Sequence, residues 1–77
     1  MKLVQILGTG CPKCEKLKHN AEEAVKLAGV EAEVVKITDI VKITSFGVMM
    51  TPALAIDGQV KAVGKVLSPE DITKFLV

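Results

Sequence analysis

The pattern of apolar and polar positions divides the chain into seven short segments. Lys2 to Leu7 is an apolar run interrupted only by Gln5 and stopped by Gly8 and Gly10, and it reads as a buried strand. Its length suits a central position in a parallel arrangement. From Pro12 to Ala28 the period changes. Cys14, Leu17, Ala21, Ala24, Val25 and Ala28 recur at helical spacing, while Lys16, Lys18, Glu22, Glu23 and Lys26 fall largely elsewhere. Pro12 suits the first helical position, and Gly29 ends the helix. Glu31 to Ile37 returns to strand character through Val34, Val35 and Ile37. The first half is therefore strand, helix, strand, the pattern of a right-handed parallel crossover.

The second half is built differently. Thr38 or Asp39 can cap a short helix carrying Ile40, Ile43 and Phe46, with Gly47 as its stop. After Met49-Met-Thr-Pro52, the run Ala53 to Ile56 is joined to Gln59 to Val63 by Asp57-Gly58, a two-residue hairpin signal that favours a type I′ turn. Ser68-Pro-Glu-Asp71 combines a capping Ser, Pro at the first helical position and acids in the first turn, and leads into a terminal helix with Ile72, Phe75 and Leu76. The order βαβαββα, without repeats or linkers, predicts an α/β layer fold with a four-stranded mixed sheet covered by helices.

Composition narrows what such a fold can do. At 77 residues the chain is expected to form one domain spanning 1–77. A chain of this size buries about 60% of its unfolded surface, so it depends on close aliphatic packing. Apolar residues make up 49% of it, with no Trp or Tyr and only Phe46 and Phe75 as aromatics. That argues against the stacking platforms that hold single-stranded nucleic acid. Ten Lys and nine acids leave a net charge of +1, which gives no field to attract nucleic acid or an anionic membrane. Met1 to Leu7 is too short and too interrupted for a signal-peptide core, and no stretch reaches the length of a membrane span. A cytoplasmic protein is the expectation.

The candidate chemistry rests on the two cysteines, Cys11 and Cys14. In a reducing compartment such a pair reads as redox-active or metal-binding. A passive staple is disfavoured, because bridging residues three apart closes a loop too small to remove much chain entropy. With Pro12 as the first helical residue, Cys11 becomes the N-cap and Cys14 the third helical position. Unpaired backbone donors of the first turn and the helix dipole would favour a thiolate on Cys11, making it the predicted nucleophile. Cys14 shares a face with Leu17, Ala21 and Ala24, so it is expected to turn inward as the resolving thiol. Lys13 can add modest stabilisation to the thiolate, as an exposed charge does. Glu15 is expected to point to solvent and His19 to be exposed and uninvolved, so neither is placed in the site.

With these residues in place, the chain resembles the thioredoxin-like superfamily. The likeness rests on Cys11-Pro-Lys-Cys14 after a strand, and on Phe46-Gly-Val-Met-Met-Thr-Pro52-Ala-Leu followed by Asp57-Gly58 and Gly64. It extends to the small archaeal and bacterial redox-active disulfide proteins, or minimal glutaredoxin-like thioredoxins, whose Gly-Thr-Gly-Cys opening is matched at Gly8 to Cys11. The resemblance implies a thioredoxin-like fold and thiol-disulfide exchange with disulfide-containing protein substrates. It implies no cofactor beyond a redox-active Cys11–Cys14 disulfide, a thioredoxin-reductase-like electron donor, and a monomer. Pro52 would be cis and packed against the cysteines, Thr51 would offer backbone groups to an extended substrate segment, and Gly64 would let its loop lie close to the site. Gly10, Pro12 and Lys13 would shape the approach. Gly8, Gly10, Met50, Thr51, Pro52 and Gly64 suggest an uncharged, flat, apolar docking rim. Two departures stand out: no aromatic residue precedes Cys11, and the first strand carries Gln5 where thioredoxins often keep a buried carboxylate.

A different functional class competes. Small α/β domains also place a Cys-x-x-Cys pair after the first strand to carry Cu(I) or another soft ion. Pro12 between the cysteines, the lack of a Met just before Cys11, and Thr51-Pro52 at the hairpin entry argue against it. A closed zinc site needs about four ligands, and Cys11, Cys14 and His19 do not supply them, so no metal is assigned. Use of glutathione is a nearer alternative, though no clear basic pocket for its carboxylates is evident.

Overall fold

The computed structural model describes residues 2–10 and 12–76. Its elements are β1 (Lys2–Leu7), α1 (Pro12–Ala28), β2 (Ala32–Ile37), α2 (Ile40–Ser45), β3 (Ala53–Ile56), β4 (Gln59–Val63) and α3 (Pro69–Leu76). The strands form one mixed sheet in the order β2-β1-β3-β4. β1 runs parallel to β2 and antiparallel to β3, and β3 runs antiparallel to β4 with an irregularity between Leu54 and Ala55. This is the thioredoxin-like βαβαββα arrangement.

The alternation of side chains along the strands gives the sheet two apolar faces. Val4, Ile6, Leu54 and Ile56 face α1 and α3 and pack with Leu17, Ala21, Ala24, Ile72 and Leu76. Leu7, Ala53 and Ala55 face the other way, against Ile43 of α2 and Val48. β3 is covered on both faces, which is why all four of its residues are apolar and buried.

The local signals act where the sequence places them. Asp57 (φ 52°) and Gly58 (φ 84°) both take the left-handed backbone that a type I′ turn requires. The turn is then tied to β1. Leu3 N–H donates to Asp57 Oδ1 at 2.8 Å, Asp57 N–H donates to Leu3 O at 2.8 Å, and Gly58 N–H donates to Gln5 Oε1 at 2.9 Å. Gln5 thus serves as an acceptor for the hairpin. Ser68 Oγ accepts from Asp71 N–H at 3.2 Å at the start of α3.

Of the two candidate caps for α2, Asp39 is the one used: its Oδ1 accepts from Val41 N–H at 2.9 Å. Phe46 forms the C-cap, and Gly47 N–H donates to Thr44 O at 2.9 Å. A six-residue helix with Ile43 as its one buried residue has little else to hold it. Asp39→Ala is therefore expected to cost about 1 kcal/mol. Chemical denaturation would show it as a lower midpoint with an unchanged slope.

Candidate functional site

The register of the sheet brings the described candidate residues to one end. Leu7, the last residue of β1, lies opposite both Ile37 and Ala53, and Ala53 lies opposite Val63. The segment after β1, the start of α1, the Thr51-Pro52 entry to β3 and the exit from β4 therefore meet at this end. Two backbone bonds hold them: Gly8 N–H donates to Ile37 O at 3.0 Å, and Gly64 N–H donates to Pro52 O at 2.8 Å.

Cys14 is at the first turn of α1, 1% exposed, turned inward as its helical face dictates. What gives its sulfur room is Gly8. A Cβ built on Gly8 would sit 2.2 Å from Cys14 Sγ and 3.2 Å from its Cβ, with Thr51 Cβ at 3.9 Å. The φ of Gly8 lies outside the left-handed region, so the demand for glycine here is steric rather than conformational. Sequence reasoning saw Gly8 as a strand stop and a rim residue and missed this contact. The available signal was its spacing of six from a cysteine on the inward face of the helix that follows.

The other predicted residues are placed as follows. Pro12 begins α1 and is exposed, as is Lys13. Gly10 is exposed with φ 95°. The Thr51-Pro52 peptide is cis, with Thr51 exposed and Pro52 buried. Gly64 adopts φ 70°, a left-handed conformation that favours glycine, and a Cβ there would also come within 3.3 Å of Met50 Cε. Cys11, the predicted nucleophile, lies outside the described residues.

The electrostatics are simple. No polar or charged side chain is buried among the described residues, so no buried carboxylate accompanies Cys14 there. Gln5 is committed to the hairpin turn. Glu15 is exposed and forms an ion pair with Lys36 near the end of β2. Hydrogen bonding from Lys36, and then its charge, hold the Glu15 carboxyl below its ordinary value. A depressed carboxylate stabilises the fold above the ordinary carboxylate range, and that contribution is lost as pH falls through the lowered value. The pair is exposed, so the effect is small. His19 is exposed and lies 4.0 Å from Glu23 on its own helix, away from this end. Among the described residues no three His, Cys, Asp or Glu side chains are grouped to hold a metal ion. No helix there is long and apolar enough to cross a membrane.

This arrangement has known counterparts. The sequence profile of a family described as "Thioredoxin domain" matches residues 2–77. A protein named thioredoxin from Methanothermobacter thermautotrophicus is 46% identical over 76 residues, covering 99% of both chains. The chain belongs to the thioredoxin family. A second thioredoxin, from Methanocaldococcus jannaschii, is 41% identical over 76 residues, covering 99% of this chain and 87% of its own. Family membership carries thiol-disulfide oxidoreductase chemistry in general terms. It also accounts for the topology, in which one sheet end collects the segment after β1, the start of α1 and the entry to β3.

Proposed function

We propose that the protein is a dithiol/disulfide exchange protein in which Cys11 attacks and Cys14 resolves. The observation that carries this reading is Cys14. A thiol 1% exposed cannot meet a disulfide on another protein, but three residues from Cys11 in the chain it suits an intramolecular second step. The Cys11 thiolate attacks one sulfur of the substrate disulfide, forming a Cys11–substrate bond and expelling the other substrate sulfur as a thiolate. Cys14, as its thiolate, then attacks the Cys11 sulfur. The Cys11–Cys14 bond forms, the second substrate sulfur leaves, and the substrate has gained the two electrons that the protein has lost. Return to the dithiol needs an external reductant, for which a thioredoxin-reductase-like donor is the family precedent. Gly10, Pro12, Lys13, Thr51, Pro52 and Gly64 shape the approach to Cys11, with exposed Thr51 supplying backbone groups for an extended substrate segment.

Equilibration of the metal-free protein in thiol-disulfide buffers, with a chelator present and alkylation as the trap, tests the proposal. Reversible oxidation at a potential near the roughly −120 to −270 mV range of exchange proteins is the expected result. Failure to form the intramolecular disulfide reversibly would leave soft-metal carriage by the same pair as the better reading. Partial alkylation of the native dithiol form gives a second check. One thiol is expected to react fast and map to Cys11, with Cys14 slower by on the order of 10-fold or more, because reactivity follows exposure and thiolate character. Equal rates at the two positions would contradict the assigned roles.

A further inference from the structure

The net charge of +1 conceals an uneven distribution. Five lysines lie on the segments that form the redox end: Lys13 and Lys16 at the start of α1, Lys36 near the end of β2, Lys42 on α2 and Lys65 just after Gly64. α2 belongs to this end because Ile43 packs with Leu7 and Ala53. The acids there are Glu15 and Asp39, which leaves +3. The remaining five lysines stand against seven acids, which leaves −2 over the rest of a molecule 32 Å long. Pairing sharpens the contrast. Glu15 is taken up by Lys36, and Asp39 caps α2. Lys13, Lys16, Lys42 and Lys65 are all exposed, and none has an ion-pair partner among the described residues. Elsewhere Lys18 is neutralised by Glu22, and Lys74 by Asp71.

On the segment that leads into β3, Met49 and Met50 are 91% and 63% exposed, next to the Thr51-Pro52 entry. Flexible exposed apolar side chains and unpaired cations at the same end of the molecule complement a surface of opposite character, apolar and acidic together. The rim residues named from the sequence are themselves uncharged, and the lysines come from four other segments that the fold brings to the same end.

We propose that the redox end selects partners whose disulfide is set in an acidic surface, with Lys13, Lys16, Lys42 and Lys65 supplying the recognition. The inference rests on the exchange function proposed above and adds the class of partner. The charge separation orients such a partner toward the redox end during encounter and disfavours a basic one.

The test uses three synthetic peptides, each carrying one intramolecular disulfide, with flanking residues that are glutamate, serine or lysine. Initial rates of reduction by the pre-reduced full chain are measured from low to 1 M salt. The glutamate peptide is expected to react about 10-fold faster than the lysine peptide at low salt, with the rates converging as salt screens the field. The double variant Lys42→Glu/Lys65→Glu is expected to abolish or reverse that order while leaving the serine peptide within about twofold, since neither lysine touches the reacting atoms and surface charge acts on encounter. Equal, salt-independent rates for all three peptides would overturn the inference and leave the exchange function standing. No reduction of any peptide would overturn the exchange function, and this inference with it.

Discussion

Cys11→Ser is expected to reduce turnover of a protein disulfide to the background rate, whereas Cys14→Ser is expected to perform a single attack and then stall. The asymmetry follows from the placement of the two residues. Position 11 directly precedes Pro12, the first residue of α1, and position 14 is buried one turn later. Serine at 11 leaves no thiolate to open the substrate bond, and the buried Cys14 cannot replace it. Serine at 14 keeps the attacking thiolate but removes the group that would release the product. A mixed disulfide should accumulate at one substrate per protein, visible as the corresponding mass increase and discharged by a small dithiol. Mass spectrometry after mixing each variant with an oxidised substrate separates the cases. If the adduct instead builds up on Cys11→Ser, the two roles are exchanged. If neither variant forms one, and Cys14→Ser turns over normally, the two-thiol cycle is wrong.

Much of this arrangement is legible in the sequence because the decisive signals are local. Period in α1, the Asp57-Gly58 turn and the Ser68-Pro69 start of α3 each act within one or two turns of chain, and each element lies where those residues put it. The short α2 carries the weakest apolar pattern, since Ile40 and Val41 are 67% and 76% exposed and contribute nothing to the apolar face. What the sequence hid is interaction at a distance. Glu15 and Lys36 are 21 positions apart and meet only because β2 lies parallel beside β1. Gln5 looked like a missing carboxylate, yet its partner is a turn 53 positions away. The lysines at this end of the sheet are unexceptional one by one, and their segments come to one end only through the register of the sheet.

Gly8→Ala is the substitution that probes the least visible of these relations. The added methyl group would lie 2.2 Å from Cys14 Sγ, far inside van der Waals contact, in a region where Cys14 is 1% exposed, so either the sulfur or the backbone at the end of β1 must shift. The backbone of Gly8 can accept alanine, so conformational strain is not the cause. Overpacking of this kind costs about 1 to 3 kcal/mol, a large share of what holds a small domain together. The second expected effect is on chemistry. If the sulfur is pushed from its seat, closure of the Cys11–Cys14 bond slows, and the mixed disulfide persists longer than in the natural chain. Stability alone cannot distinguish that cause from a general disturbance of β1, but a double-mutant cycle can. Gly8→Ala is compared in the natural background and in Cys14→Ala, where the sulfur is gone. The loss should shrink by roughly 0.5 kcal/mol or more in the second background, the range in which contacting residues couple. An identical loss with and without the sulfur would mean that Gly8 is required by something other than Cys14.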